Sequence, residues 1–182
     1  MNRKIFAVLV VMAMAIAAFA GMNNPVVGGQ EMYPTKNIIE NAVNSADHTM
    51  LVAAVKAAGL VETLEGAGPF TVFAPTNEAF NKLPAGTVET LLKPENKATL
   101  SKVLTYHVVA GRFSAQDLMK MIKEGNGKAE LTTVEGGKLW AMQNGKTIVL
   151  KDEKGDTATV TIANVFQSNG VIHVIDAVVM PN

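Results

Sequence analysis

The sequence predicts an α+β domain in which a cluster of short N-terminal helices packs on a largely antiparallel sheet, folded as a sandwich or wedge. Two observations predict it. Up to about Ile122, apolar residues recur at three- and four-residue steps, the period of amphipathic helices, broken every few turns by glycine or proline. Beyond Gly125-Asn126-Gly127 the period falls to two and turn dipeptides separate the runs, with no long crossover helices of the kind parallel strands need.

The elements follow in order. Residues 1–20 have the three parts of a secretory signal: Asn2-Arg3-Lys4 as a positive start, an apolar stretch from Ile5, and Ala18-Phe19-Ala20 as a small-x-small cleavage site. The apolar run to Ala20 is shorter than the roughly twenty residues that cross a bilayer as a helix, so cleavage before Gly21 and no stable membrane span afterwards are expected. Residues 21–36 hold Pro25, Gly28, Gly29 and Pro34 without a period and read as a flexible lead-in. A single domain is expected over 37–181. Helical spacing runs from Ile38 to Val43 and from Met50 to Leu64, punctuated by Gly59 and Gly66.

Phe70 to Phe73 reads as a short buried strand stopped by Pro75, after which the Thr76 hydroxyl caps a helix opening at Asn77-Glu78. Further short helices are expected around Val88 to Leu92 and Lys97 to Leu104, and Ser114-Ala115-Gln116-Asp117 has the form of a capping box for one more, through Ile122. Asn144-Gly145 between Lys138–Gln143 and Lys146–Lys151 is a two-residue hairpin signal. Thr157 to Ala163 alternates as a half-buried strand, and Gln167-Ser168-Asn169-Gly170 turns the chain into a final apolar run that ends at Pro181.

Composition narrows the function classes. Of 182 residues, 16 are Lys or Arg and 16 Asp or Glu; loss of Arg3 and Lys4 with the leader leaves 14 against 16, a balance that argues against nucleic acid or an anionic lipid surface as partner. The chain has no cysteine, which rules out disulfides, metal thiolates and a lipid-modified cysteine anchor. The three histidines, His48, His107 and His173, have no second ligand at metal-binding spacing, so no metal is expected. There is no Gly-x-Ser-x-Gly elbow, and Gly66-Ala67-Gly68 lacks the third glycine and preceding strand of a dinucleotide loop. No catalytic constellation and no cofactor are expected.

Polar residues inside apolar runs are the remaining signal. His173 and Asp176 lie in Val171-Ile172-His173-Val174-Ile175-Asp176-Ala177-Val178, and Tyr106-His107 lies between Leu104 and Val108-Val109. Buried polar groups are normally hydrogen-bonded, so Thr76, Asn77, His173 and Asp176 are read as structural polar residues, and Tyr106 and His107 as locking a helix-to-strand junction. Tyrosine is also favoured at interfaces, which leaves partner contact by Tyr106 and His107 as the competing reading. Trp140, beside the hairpin, is read as core filling.

Three blocks together resemble one family. Thr71-Val72-Phe73-Ala74-Pro75-Thr76-Asn77-Glu78-Ala79-Phe80 resembles the first conserved box of fasciclin-type adhesion domains, Asn169 to Pro181 resembles the second, and Leu104 to Gly111 is similar to the Tyr-His segment between them. The resemblance implies a single fasciclin-like α+β domain, exported and non-enzymatic. Its role would be cell adhesion or envelope and extracellular-matrix organisation through contact with a protein or surface glycan. It also nominates Leu104, Tyr106, His107, Val108 and Val109 as candidate partner contacts, with a secreted or periplasmic location. One copy of the boxes bridges two surfaces only through self-association or a further partner. The alternative function is an extracytoplasmic carrier or sensor holding a small apolar ligand between helices and sheet, where Met119, Met121 and Met142 supply adaptable lining.

Overall fold

A computed structural model describes residues 23–182; the leader expected at 1–20 lies outside them. Among the described residues, helices α1 (Ile38–Ala42), α2 (Thr49–Ala58) and α3 (Val61–Glu65) precede strand β1 (Phe70–Pro75). Then α4 (Asn77–Asn81), α5 (Thr87–Leu91) and α6 (Lys97–Tyr106) lead into β2 (Val108–Ala110), and α7 (Ala115–Glu124) opens the strand-rich half. That half is β3 (Lys128–Thr132), β4 (Lys138–Asn144), β5 (Thr147–Lys151), β6 (Thr157–Gln167) and β7 (Gly170–Ile175).

Local chemistry sets the helix ends. Asn37 with Glu40, and Ser114 with Asp117, form reciprocal capping boxes on α1 and α7, and the Thr76 side chain accepts from the Ala79 N–H at the start of α4. The helical spacing expected from Met50 to Leu64 is two helices, because Gly59 takes a left-handed φ of 70° as the C-cap of α2, a conformation free of the Cβ penalty only for glycine.

The strands form one sheet in the order β2-β1-β7-β6-β5-β4-β3. Every pair is antiparallel except β1 with β7, which run parallel at its centre. Both faces of that central pair are covered, the reason both strands read as near-continuous apolar runs. Val72, Ala74, Ile172 and Val174 face the helical layer of α1 to α6 and join its core. Phe73 and Ile175 face the other way, into a second core shared with Leu118 and Ile122 of α7 and with Leu139, Ala141 and Leu150 of the hairpins. The sheet curls almost into a barrel: Val109 bridges Thr133, and the Val134 N–H donates to the Val108 carbonyl at 2.7 Å. Two register shifts in β6, between Val160 and Ile162 and between Ile162 and Val165, supply the bend.

The packed unit starts before residue 37. Val27 and Met32, placed by sequence in a flexible lead-in, are 3% and 6% exposed in the helical core. The Asn24 side chain explains why the segment is held. It donates to the Phe166 carbonyl at 2.6 Å and accepts from the Phe166 N–H at 2.8 Å, filling the ladder position of a missing strand on β6. One amide making two long-range bonds leaves no periodic trace.

Candidate functional site

Tyr106 and His107 sit where α6 ends and β2 begins, between the two cores. The Tyr106 hydroxyl donates to the Lys138 carbonyl and accepts from the Glu153 N–H at 3.2 Å, joining α6 to the first strand of the β4–β5 hairpin and to the turn after it. Burial pushes this phenol up to about 12, so it is a neutral donor throughout the working range. His107 donates from Nδ1 to the Val103 carbonyl at 2.8 Å and accepts at Nε2 from the Val179 N–H at 3.2 Å, a tautomer assigned from these partners. His173 has the opposite tautomer. Its Nδ1 accepts from the Asn164 N–H at 3.2 Å and its Nε2 donates to the Phe113 carbonyl at 2.7 Å, with the ring stacked 5.8 Å from Phe73.

Each imidazole is therefore satisfied only when neutral. An added proton on either ring would set a donor against a backbone N–H in a desolvated site. Desolvation pushes His107 down to about 4 against the opposing pull of the Val103 carbonyl. The same cause lowers His173.

The family's first box works as a joint. Asn77 accepts from the Met50 N–H at 3.0 Å and donates to the Ala46 carbonyl at 3.0 Å, tying α4 to the start of α2. Asn169 is a similar joint in the second box: it accepts from the Ile38 N–H at 3.0 Å and donates to the Leu64 and Gly66 carbonyls at 2.7 and 2.9 Å. Asp176 lies just past the end of β7, accepting from the Thr159 N–H at 2.7 Å, with its side chain 41% exposed and 3.9 Å from the Lys82 ammonium.

The structure corrects the nominated contact residues. Leu104, Tyr106, His107, Val108 and Val109 are between 0% and 4% exposed, so none of the five offers its side chain to a partner. The exposed surface above them belongs to neighbours, namely Val134, 44% exposed, and the Lys102–Glu135 ion pair at 3.8 Å. Met119 and Met121, nominated for ligand lining, lie on α7 and pack against the core between that helix and the sheet.

Sequence reasoning missed two features. Asp152, 1% exposed, accepts from the Lys154 and Asp156 N–H groups at 3.0 and 2.8 Å and from the Met180 N–H at 2.9 Å, pinning the end of the chain to a hairpin turn. Its Met180 partner lies 28 residues away, beyond the reach of any local pattern. The second is Ser45 with His48, hydroxyl to Nδ1 at 2.8 Å, in the wall of an apolar crevice of about 40 Å³ between helices and sheet. The spacing matches a nucleophile and base, but no carboxylate orients the ring, since the buried Nε2 makes no hydrogen bond. Among the described residues no group of three or more His, Cys, Asp or Glu is arranged to hold a metal.

A model of the fasciclin domain matches residues 46–181. The chain belongs to the fasciclin domain family. It is 50% identical over 145 residues to a Synechocystis sp. protein, covering 79% of this chain and 73% of that one. To the Mycobacterium bovis protein named immunogenic protein MPB70 it is 35% identical over 145 residues, covering 77% of this chain and 66% of that one. Its fold matches a FAS1 domain pair from the insect cell adhesion molecule Fasciclin I with a TM-score of 0.70 at 19% identity, spanning 79% of this chain and half of the pair. Asn24, Val27 and Met32 lie upstream of the matched residues, so this fasciclin domain is packed over a longer stretch than the family pattern covers.

Proposed function

We propose that this fasciclin domain is an exported, non-catalytic binding module that contributes to cell adhesion or to envelope and matrix organisation through a protein or surface-glycan contact. The family membership carries this reading, and the fold it shares with part of an insect cell adhesion molecule supports it. Export rests on the leader pattern at residues 1–20, with the domain over 37–181 and its packed extension released to a secreted or periplasmic location. Among the described residues no helix is long and apolar enough to cross a membrane, in keeping with that arrangement.

The buried Tyr-His segment serves recognition by shaping the surface above it. Val134, in the turn between β3 and β4, is held by its backbone bond to Val108, and an exposed branched side chain on a fixed turn is a low-entropy contact point beside the Lys102–Glu135 pair. The experiment is cell retention on a surface coated with the purified protein, comparing wild type, Val134→Asp and albumin. Retention above albumin that falls in Val134→Asp, with the unfolding midpoint unchanged, is expected. Retention equal to albumin for the wild type overturns the adhesive reading, and full retention by Val134→Asp moves the contact elsewhere on the domain.

A further inference from the structure

The crevice at Ser45 and His48 has the features of a built site. Its walls are Val72 and Ala74 of β1, Ile172 of β7, Leu51 and Val55 of α2 and Leu64 of α3, all buried, and its lining is almost wholly apolar. The open space is about 40 Å³ and touches residues of both the helical layer and the sheet. The rim lies between α1, α2 and α3, where Ala42, Val52 and Val61 are half-buried and Lys56 is exposed. His48 and Lys56 are eight residues apart on one face of the α2 segment, roughly 12 Å at 1.5 Å per residue, with Val52 and Val55 between them.

Among the crevice polar groups, His48 alone has unused hydrogen-bonding capacity. His107 also lines the space, but both its nitrogens are engaged, and the Ser45 hydroxyl is taken by His48 Nδ1. His48 is 3% exposed and its Nε2 makes no hydrogen bond. The Ala74 carbonyl lies close enough to favour a proton there without usable hydrogen-bond geometry, which leaves Nε2–H as a donor with an open direction. A buried donor left unsatisfied costs about 1–3 kcal/mol in a native protein, and a ligand oxygen at that point would remove the cost.

We propose that this crevice binds a single small aliphatic molecule carrying one hydroxyl or carbonyl oxygen, with that oxygen accepting from His48 Nε2 and its apolar part lying between α2 and β1. The lining excludes a charged head at the inner end. The proposal does not rest on the adhesive surface near Val134, a residue that does not line the crevice.

The test uses ¹⁵N-labelled protein titrated with 1-octanol below its solubility limit, followed by backbone amide shifts and by the histidine ring nitrogens. One saturable event is expected, confined to amides of α2, α3, β1 and β7 and to His48 Nε2. Ala42→Leu, which fills the rim from α1, should abolish it, and Val52→Phe does the same work should Ala42→Leu fail to fold. His48→Leu should weaken binding roughly three- to tenfold, the worth of one neutral hydrogen bond, without moving the affected amides elsewhere. Shifts that grow linearly, that map outside the crevice, or that persist unchanged in a folded rim-filled variant overturn the proposal.

Discussion

Lowering the pH from 7 to 4.5 should destabilise this domain through its histidines. His107 has an ordinary value of 6.5 that burial drives to about 4 in the folded state, because protonation would oppose Nε2 to the Val179 N–H inside the core. The sign follows from proton counting. Between about 4 and 6.5 the unfolded chain binds a proton at this residue that the folded chain refuses, so stability is whole above 6.5 and is lost as pH falls toward 4. At about 1.36 kcal/mol per pH unit the full loss is about 3 kcal/mol, of which about 2 kcal/mol is gone by pH 5. His173 and His48 are lowered by burial as well and act in the same direction. Against a typical domain stability of 5–15 kcal/mol, roughly, the joint effect is large. Urea unfolding at pH 7, 6, 5 and 4.5 measures it, and His107→Gln should flatten the slope even where it lowers the stability at pH 7. A stability that stays level from pH 7 to 4.5, or a slope untouched by His107→Gln, would refute the reasoning.

Three further outcomes follow from the same structure. Tyr106→Phe removes a donor to the Lys138 carbonyl and leaves the Glu153 N–H without its partner; a loss of about 1–3 kcal/mol in urea unfolding is expected, with the wild-type far-UV spectrum kept. Asn169→Ala strips three hydrogen bonds from buried backbone groups of α1 and the end of α3, and should cost about 2–4 kcal/mol while raising amide exchange in Ile38 and Leu64 before any other segment. Leu118→Ala, at a position with no exposed surface in the α7 core, should lower stability by about 2–5 kcal/mol and leave octanol shifts in the other core unchanged; movement of those shifts would show the two cores to be coupled.

Much of the architecture was legible because it was local. The Thr76 cap, the Ser114 capping box, the Gly59 stop and the two-residue period after Gly127 each report on neighbours a few residues away. The hairpin shows the limit of that legibility: Asn144 pairs with Thr147, so the loop is Gly145-Lys146 and not Asn144-Gly145, with Gly145 at the positive φ of 62° that a II′ turn needs first. The β6 strand was expected to end at Ala163 but continues to Gln167, because Asn164 adopts φ 60° in a bulge that His173 Nδ1 and the Ala115 N–H jointly hold. No window of sequence contains those three residues.

The same distinction separates the readable from the unreadable part of the site. That Tyr106 and His107 were unusual in their apolar run could be seen, but whether they met a partner or the core depended on carbonyls and N–H groups 32 to 72 residues away. Once those are known, the family's boxes take on one physical role. Asn77, Asn169, His107, His173 and Tyr106 each spend their polar atoms on backbone groups of a different element, so these side chains fix the relative placement of helices and sheet and do not present chemistry outward. A motif built of such joints specifies a scaffold and leaves the outer surface free to change. Against that background His48 Nε2, like the buried Gln167 amide, makes no such joint, and His48 borders an apolar crevice. Recognition in this domain is therefore to be sought in two places that the motif does not cover: the exposed rim around Val134, and the crevice behind α2.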